Sequence, residues 1–261
     1  MFESHTWYRE GGFPRAVRTL IFANVAFFVV QALARAGGRG RVLEAVLSLS
    51  SMGLRAGWFW QLITYQFLHG NLTHLLMNMF MLYSLGPETE RAMGGRHFTL
   101  MYFLSGILGG VGFVLMDPQQ YCLGASGAVF GVIAAFATLY PMRPMTLLFL
   151  PFVTFRAWVL ATIFGVIELL YLISGEAGGI AHSAHLAGGI AGAIYTVVNV
   201  RGFSLPRLRR RRRTDATVSG GVDLAEVDRI LDKVAREGID RLTRRERAVL
   251  EAASRRHGPR L

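Results

Sequence analysis

Apolar residues in this chain fall into six blocks separated by short polar stretches: Thr19–Ala34, Leu72–Leu85, Phe98–Met116, Gly124–Tyr140, Ala157–Ile173 and Ala184–Val200. The pattern predicts six membrane-spanning helices. Several blocks are shorter than the roughly 20 residues that cross a bilayer fully. Short spans are tolerated where neighbouring helices cover their ends or the bilayer thins. Thr19–Ala34 follows Arg15 and Arg18, as a signal peptide would, but no clear small-residue cleavage site follows it, and it is read as a retained first helix. Met145–Phe155 is apolar, too short to span and interrupted by Pro151, so it is placed at the interface.

After Phe203 the pattern changes. Arg207–Arg213 is a polybasic run and Thr214–Gly221 a polar linker. Asp223–Arg236 carries Leu224, Val227, Ile230, Leu231 and Val234 at helical spacing and is closed by Gly238. Thr243 and Glu246 form a capping box that opens a second helix through Ser254. The expected layout is an all-α membrane bundle over residues 1–203, a polybasic linker over 204–221 and a small cytoplasmic helical hairpin over 222–261.

Composition sharpens the membrane reading. Of 261 residues, 52% are hydrophobic and 17% charged, against about 25% charged in a soluble domain. From Phe98 to Val200 only Asp117, Arg143, Arg156, Glu168 and Glu176 are charged, which excludes an ordinary water-soluble enzyme. The single cysteine, Cys122, excludes an intramolecular disulfide and a cysteine-based zinc cage. The net charge of +11 arises mostly beyond Val200 and favours a cytoplasmic lipid-surface anchor over nucleic-acid binding.

Charge also orients the spans. With the N-terminus inside, Arg9, Arg15, Arg18, Arg91, Arg96, Arg143, Arg156, Arg201 and Arg207–Arg213 all fall on the inner side. The outer stretches Asp117–Leu123 and Ser174–Ser183 hold no Lys or Arg. The long first outer loop holds Arg35, Arg39, Arg41 and Arg55, and its Trp58 and Trp60 suggest a segment lying in the outer interface. Both termini are expected to be cytoplasmic.

Polar groups at membrane depth are expensive and usually functional. Spans two, four and six run from outside to inside, so His74, Asn78, Ser126 and His185 share a shallow depth below the outer face. A serine hydroxyl with a histidine to take its proton suggests acyl transfer. Ser126 opens a helix whose unpaired backbone N–H groups can face an oxyanion; Asn78 and His74 can donate to the same oxygen. Gly127 and Gly131 in the fourth span and Gly188 and Gly192 in the sixth would let the helices approach closely. His69 and His182 are read as interfacial, Asp117 as a solvated loop residue and Glu168 as a buried structural carboxylate. No third acid is assigned.

The motifs GASG at Gly124–Gly127, HLLMN at His74–Asn78 and AHLAGGIAG at Ala184–Gly192 together resemble the rhomboid intramembrane serine proteases. The stretch GPETERAMG from Gly86 resembles that family's inner loop, with Glu90 and Arg91 at the family's positions. The resemblance runs from about Arg15 to Arg201. It implies Ser126 as nucleophile, His185 as general base, and Asn78 and His74 with the Ser126 N–H as oxyanion donors. It also implies a six-helix rhomboid-like fold, transmembrane protein substrates cleaved near the outer face, no metal and no cofactor. The basic tail and hairpin resemble an appendage of some bacterial members, and the resemblance implies a bacterial inner membrane, among its lipids, as the expected location. Trp60-Gln61 stands where many members have Trp-Arg, and Phe130 where a tyrosine often packs under the histidine. The alternative is a rhomboid-like binder of transmembrane helices without proteolytic activity.

Overall fold

The computed structural model describes residues 12–147, 150–175, 180–200, 224–237 and 241–257. The chain divides into two compact units, Met1–Leu205 and Pro206–Leu261. The first is a helical membrane bundle. Its long helices are α1 (Arg15–Ala36), α5 (Leu72–Met93), α6 (Gly95–Met116), α7 (Ser126–Leu139), α8 (Ala157–Ser174) and α9 (His182–Asn199). Among them α1, α6 and α8 are long and apolar enough to cross a membrane, and α7 is a shorter apolar helix.

Each helix occupies one apolar block, and the ends that differ from the blocks have local causes. Helix α1 starts at Arg15 rather than Thr19. There the Glu90 carboxylate accepts the backbone N–H groups of Ala16 (3.0 Å) and Val17 (2.8 Å), which a helix start otherwise leaves unpaired. Helix α5 opens where Asn71 Oδ1 accepts the His74 N–H at 2.8 Å. It runs on past Leu85, through Pro87, to Met93. The polar last turns survive because Glu90 is held by α1 and Glu88 pairs with Arg143 at 3.0 Å. Helix α7 starts at Ser126 and not Gly124, whose φ of +134° is not helical.

The centre of the unit is α6, α7 and α9, which meet through glycine. A side chain begun at Gly188 would strike the Gly127 carbonyl, and one at Gly192 the Gly131 carbonyl. Gly109 of α6 faces the Ala184 carbonyl. The facing glycines of α7 and α9 bring the two backbones together. Around them pack Leu75, Met79 and Leu82 of α5, Phe98, Met101 and Tyr102 of α6, and Ala128 and Val132 of α7. Helix α8 is more loosely held: Ala157 and Leu160, both in its first turn, are its buried residues.

The first outer loop folds as α2 (Gly40–Leu47), β1 (Leu49–Ser50), α3 (Ser51–Arg55), α4 (Gln61–Thr64) and a 3₁₀ turn over Tyr65–Phe67. Strand β1 pairs antiparallel with β2 (Tyr121–Cys122), which ties the loop to the segment just before Ser126. Trp58 and Trp60 stack at 5.7 Å and stay partly exposed. Gln61, in place of an arginine, is wholly buried and accepts the Ser50 N–H at 3.2 Å. The stretch between α7 and α8 is a hairpin of β3 (Pro144–Leu147) and β4 (Leu150–Arg156), not a further span.

In the second unit α10 (Leu224–Glu237) and α11 (Arg244–His257) are joined by a Lys233–Glu246 ion pair at 3.1 Å. The Thr243 N–H donates to Glu246 Oε2 at 2.8 Å and the Glu246 N–H to Thr243 Oγ1 at 3.3 Å, the reciprocal bonds of a capping box. Arg201, the Arg207–Arg213 run, the 214–221 linker and Gly238 lie outside the described residues.

Candidate active site

Ser126 is the first residue of α7 and His185 the fourth of α9. The glycine contact between these helices sets the separation: His185 Nε2 lies 2.7 Å from Ser126 Oγ. Phe130, one turn beyond Ser126, lies flat against the imidazole, with centroids 4.4 Å apart and planes 7° from parallel. The ring therefore has a fixed plane and one nitrogen aimed at the hydroxyl. A hydroxyl and imidazole so arranged can move the serine proton to Nε2 as the oxygen attacks.

The space beside Ser126 Oγ is also bounded. Gly124 holds a φ that L side chains rarely adopt. A Cβ placed there would sit 2.8 Å from His74 Nε2 and 3.7 Å from Ser126 Oγ, so only glycine leaves that space open. The Gly124 N–H donates to the Tyr65 carbonyl at 2.9 Å, and the Tyr65 hydroxyl donates to the Gly106 carbonyl at 2.5 Å, fixing the turn before Ser126. Asn78 is buried, and its Nδ2 donates to the His74 carbonyl at 3.0 Å. That bond uses one of the two amide hydrogens, leaving one to donate elsewhere.

Glu168, read as a structural carboxylate, is paired, and three other sequence readings are corrected. Its Oε1 lies 3.0 Å from His185 Nδ1, off the line of a well-aligned hydrogen bond, and its Oε2 lies 2.5 Å from His182 Nδ1. His182 is not interfacial: it is buried, paired with that carboxylate and stacked on Tyr171 at 5.0 Å. His69 is wholly buried, and neither ring nitrogen has a hydrogen-bond partner among the described residues. Burial, with His74 beside it, pushes its pKa down to about 4, so it is neutral at physiological pH. Asp117 is not merely solvated; it accepts from the Ser183 hydroxyl at 3.0 Å. Two signals in the sequence pointed to the first pair. His182 and His185 are three apart on one helix face, and a carboxylate in an apolar helix needs a partner.

Glu168, His182 and His185 offer ligand atoms within 4.8 Å of one another, a set of the type that can hold a metal ion. Cys122 is buried, and burial raises its thiol pKa to about 12, with Asp117 adding to the effect.

Comparisons with known proteins cover the same stretch of chain. A rhomboid domain model matches residues 56–202, and a family of unknown function (DUF6576) matches residues 223–256. A presumed rhomboid protease of Bacillus subtilis, YdcA, is 37% identical over 94 residues, 36% of this chain and 47% of that protein. The rhomboid protease GluP of Bacillus subtilis is 29% identical over 126 residues, 48% of this chain and 25% of that protein. The mitochondrial rhomboid protein 1 of Saccharomyces cerevisiae is 33% identical over 143 residues, 49% of this chain and 38% of that protein. The matches span less than half the length of each of these relatives. The rhomboid match covers more than half of the chain, and the chain belongs to the rhomboid family.

Proposed function

We propose that this protein is an intramembrane serine endopeptidase in which Ser126 is the nucleophile and His185 the general base. The observation that carries the reading is the 2.7 Å contact between Ser126 Oγ and His185 Nε2 in a chain of the rhomboid family. His185 takes the Ser126 proton on Nε2 as Oγ bonds to the scissile carbonyl carbon. The carbonyl π electrons move to oxygen. That oxyanion is received by the Ser126 N–H, Asn78 and His74 above Gly124. His185 then returns its proton to the leaving amine, and water repeats the sequence on the acyl-enzyme.

Six spans with both termini inside put His74, Asn78, Ser126 and His185 at one shallow depth below the outer face. The substrates are transmembrane proteins cut near their outer ends. The tail from residue 204 is a basic linker followed by a helical hairpin on the cytoplasmic side of a bacterial inner membrane. Its arginines attract anionic lipid at about 1 kcal/mol each near the surface.

The test is labelling of the bilayer-embedded protein with a fluorophosphonate, beside turnover of a model transmembrane substrate. Label is expected on Ser126, with Ser126→Ala abolishing both label and turnover and His185→Ala reducing both to background. Full turnover by purified Ser126→Ala would sink the protease assignment.

A further inference from the structure

Glu168 has no part in a two-residue mechanism, yet its carboxylate is within reach of the far nitrogen of the base. We infer that Glu168 is a positioning residue for His185, forming a Ser126–His185–Glu168 triad in which His182 holds the carboxylate in place. The inference rests on the Ser126/His185 reading above.

The tautomer argument comes first. A carboxylate only accepts hydrogen bonds, so a nitrogen facing it carries a hydrogen. Glu168 Oε1 faces His185 Nδ1 at 3.0 Å, and Oε2 faces His182 Nδ1 at 2.5 Å. A hydrogen on His185 Nδ1 leaves the lone pair on Nε2, the nitrogen 2.7 Å from the Ser126 hydroxyl. That is the tautomer a general base needs. When the serine proton arrives on Nε2, the ring becomes a cation with hydrogens on both nitrogens, and its charge faces the carboxylate. The resting Nδ1–Oε1 contact is poorly aligned. Such contacts tighten in the reacting complex.

His182 explains how the carboxylate comes to be there. Helix α8 buries Ala157 and Leu160, both in its first turn, so apolar packing does not fix the end that carries Glu168. His182 does so from α9: it is buried, stacked on Tyr171 with planes 11° apart, and sits on the same face as His185, three residues before it.

The same donor set could be taken for a metal site. Two ligand atoms on one tetrahedral zinc, each roughly 2.0–2.2 Å from it, lie about 3.3–3.6 Å apart. His182 Nδ1 and Glu168 Oε2 stand at hydrogen-bond distance, 2.5 Å. The geometry favours a hydrogen-bonded carboxylate that orients His185.

The experiment compares full-length wild type, Glu168→Gln, Glu168→Asp and His182→Ala in one lipid composition. It reads fluorophosphonate labelling rate, kcat and KM separately, and thermal melt, with rates expressed per folded molecule. Glu168→Gln is expected to lower both kcat and the labelling rate at least about tenfold. The upper bound is the roughly 10⁴-fold loss seen when the carboxylate of a soluble serine protease triad becomes an amide. KM stays within about twofold, and label still falls on Ser126. Glu168→Asp, which keeps the charge, recovers part of the rate, and His182→Ala falls between wild type and Glu168→Gln. Wild-type kcat and labelling rate in Glu168→Gln would overturn the inference. So would losses in Glu168→Gln and His182→Ala that vanish once corrected for folded fraction, because Glu168 would then be a structural tie alone. Loss of wild-type activity to a metal chelator would replace the triad with a metal site. Failure of the parent reading is separate: it is turnover that survives Ser126→Ala.

Discussion

Phe130 and His185 are stacked face to face across the α7–α9 contact, 4.4 Å between centroids and 7° from parallel. The stack fixes the plane of the imidazole without offering it a hydrogen bond. An aromatic pair contributes about 0.5–1.5 kcal/mol beyond burial. Phe130→Ala is therefore expected to lower kcat roughly 2–10-fold with little change in KM, whereas Phe130→Tyr keeps the stack and most of the rate. Steady-state kinetics on a reconstituted substrate decide it; wild-type kcat in Phe130→Ala would show that the ring plane is held by other contacts.

Gly188 and Gly192 hold the α7–α9 spacing. A methyl at either position meets backbone of the facing helix, which cannot swing aside as a side chain would. Gly188→Val and Gly192→Val are expected to lower the melt, in line with overpacking costs of about 1–3 kcal/mol. They should cut activity about 10²-fold or more by widening the Ser126–His185 contact. Gly165 of α8 has open space around it and Gly165→Ala is the control, expected to change neither. Equal behaviour of the three variants would count against the close-contact account.

Asn78→Ala is expected to reduce turnover about 10²–10³-fold without abolishing it, because one donor is lost while backbone donors at Ser126 remain. Fluorophosphonate labelling should fall in parallel, with the melt close to wild type. A loss as complete as that of Ser126→Ala in a folded protein would require a different role for Asn78.

Glu90 lies at the end of α5 and accepts two backbone N–H groups of α1. Glu90→Ala leaves both donors without that acceptor, at about 1–3 kcal/mol for each group that stays buried and unpaired. A lower melting temperature is expected, with kcat per folded molecule unchanged. A wild-type melt would mean that water or another side chain replaces the carboxylate.

Glu246 in the second unit has its pKa lowered to about 2 by the Thr243 backbone N–H, Lys233 and the Thr243 hydroxyl, against a small opposing effect of burial. Its folded-state pKa lies below the ordinary value of 4.5, so its stabilising effect is fully present above about pH 4.5 and is lost as pH falls toward 2. Amide exchange across Arg244–His257 should lose protection over that window in the wild type. Glu246→Gln should show weaker protection that no longer changes there; identical acid profiles in both would remove Glu246 as the cause.

The six helical stretches were legible in the sequence because apolar blocks of fixed length report which segments avoid water. His74, Asn78, Ser126 and His185 stood out because a polar group in such a block is costly unless it is used. The facing glycines were legible too, since small residues four apart mark a helix face that can approach another. Other features depended on which face each helix turns toward its neighbours, and linear order does not carry that rotation. Glu168 lies 17 positions from His185, and only the rotation of α8 against α9 brings its carboxylate to Nδ1 and to His182. His69, beside the start of an apolar block, reads as interfacial in the sequence but is wholly buried in the fold, where its backbone N–H donates to Gln31 Oε1. The extra turns of α1 and α5 beyond their apolar blocks arose the same way: Glu90 and the α1 N-terminus satisfy each other only once the two helices are side by side. Sequence sets the energetic cost of exposing or burying each group. Tertiary packing selects the partner that offsets that cost, and at this site the partner was a carboxylate on α8, the helix between those that carry Ser126 and His185.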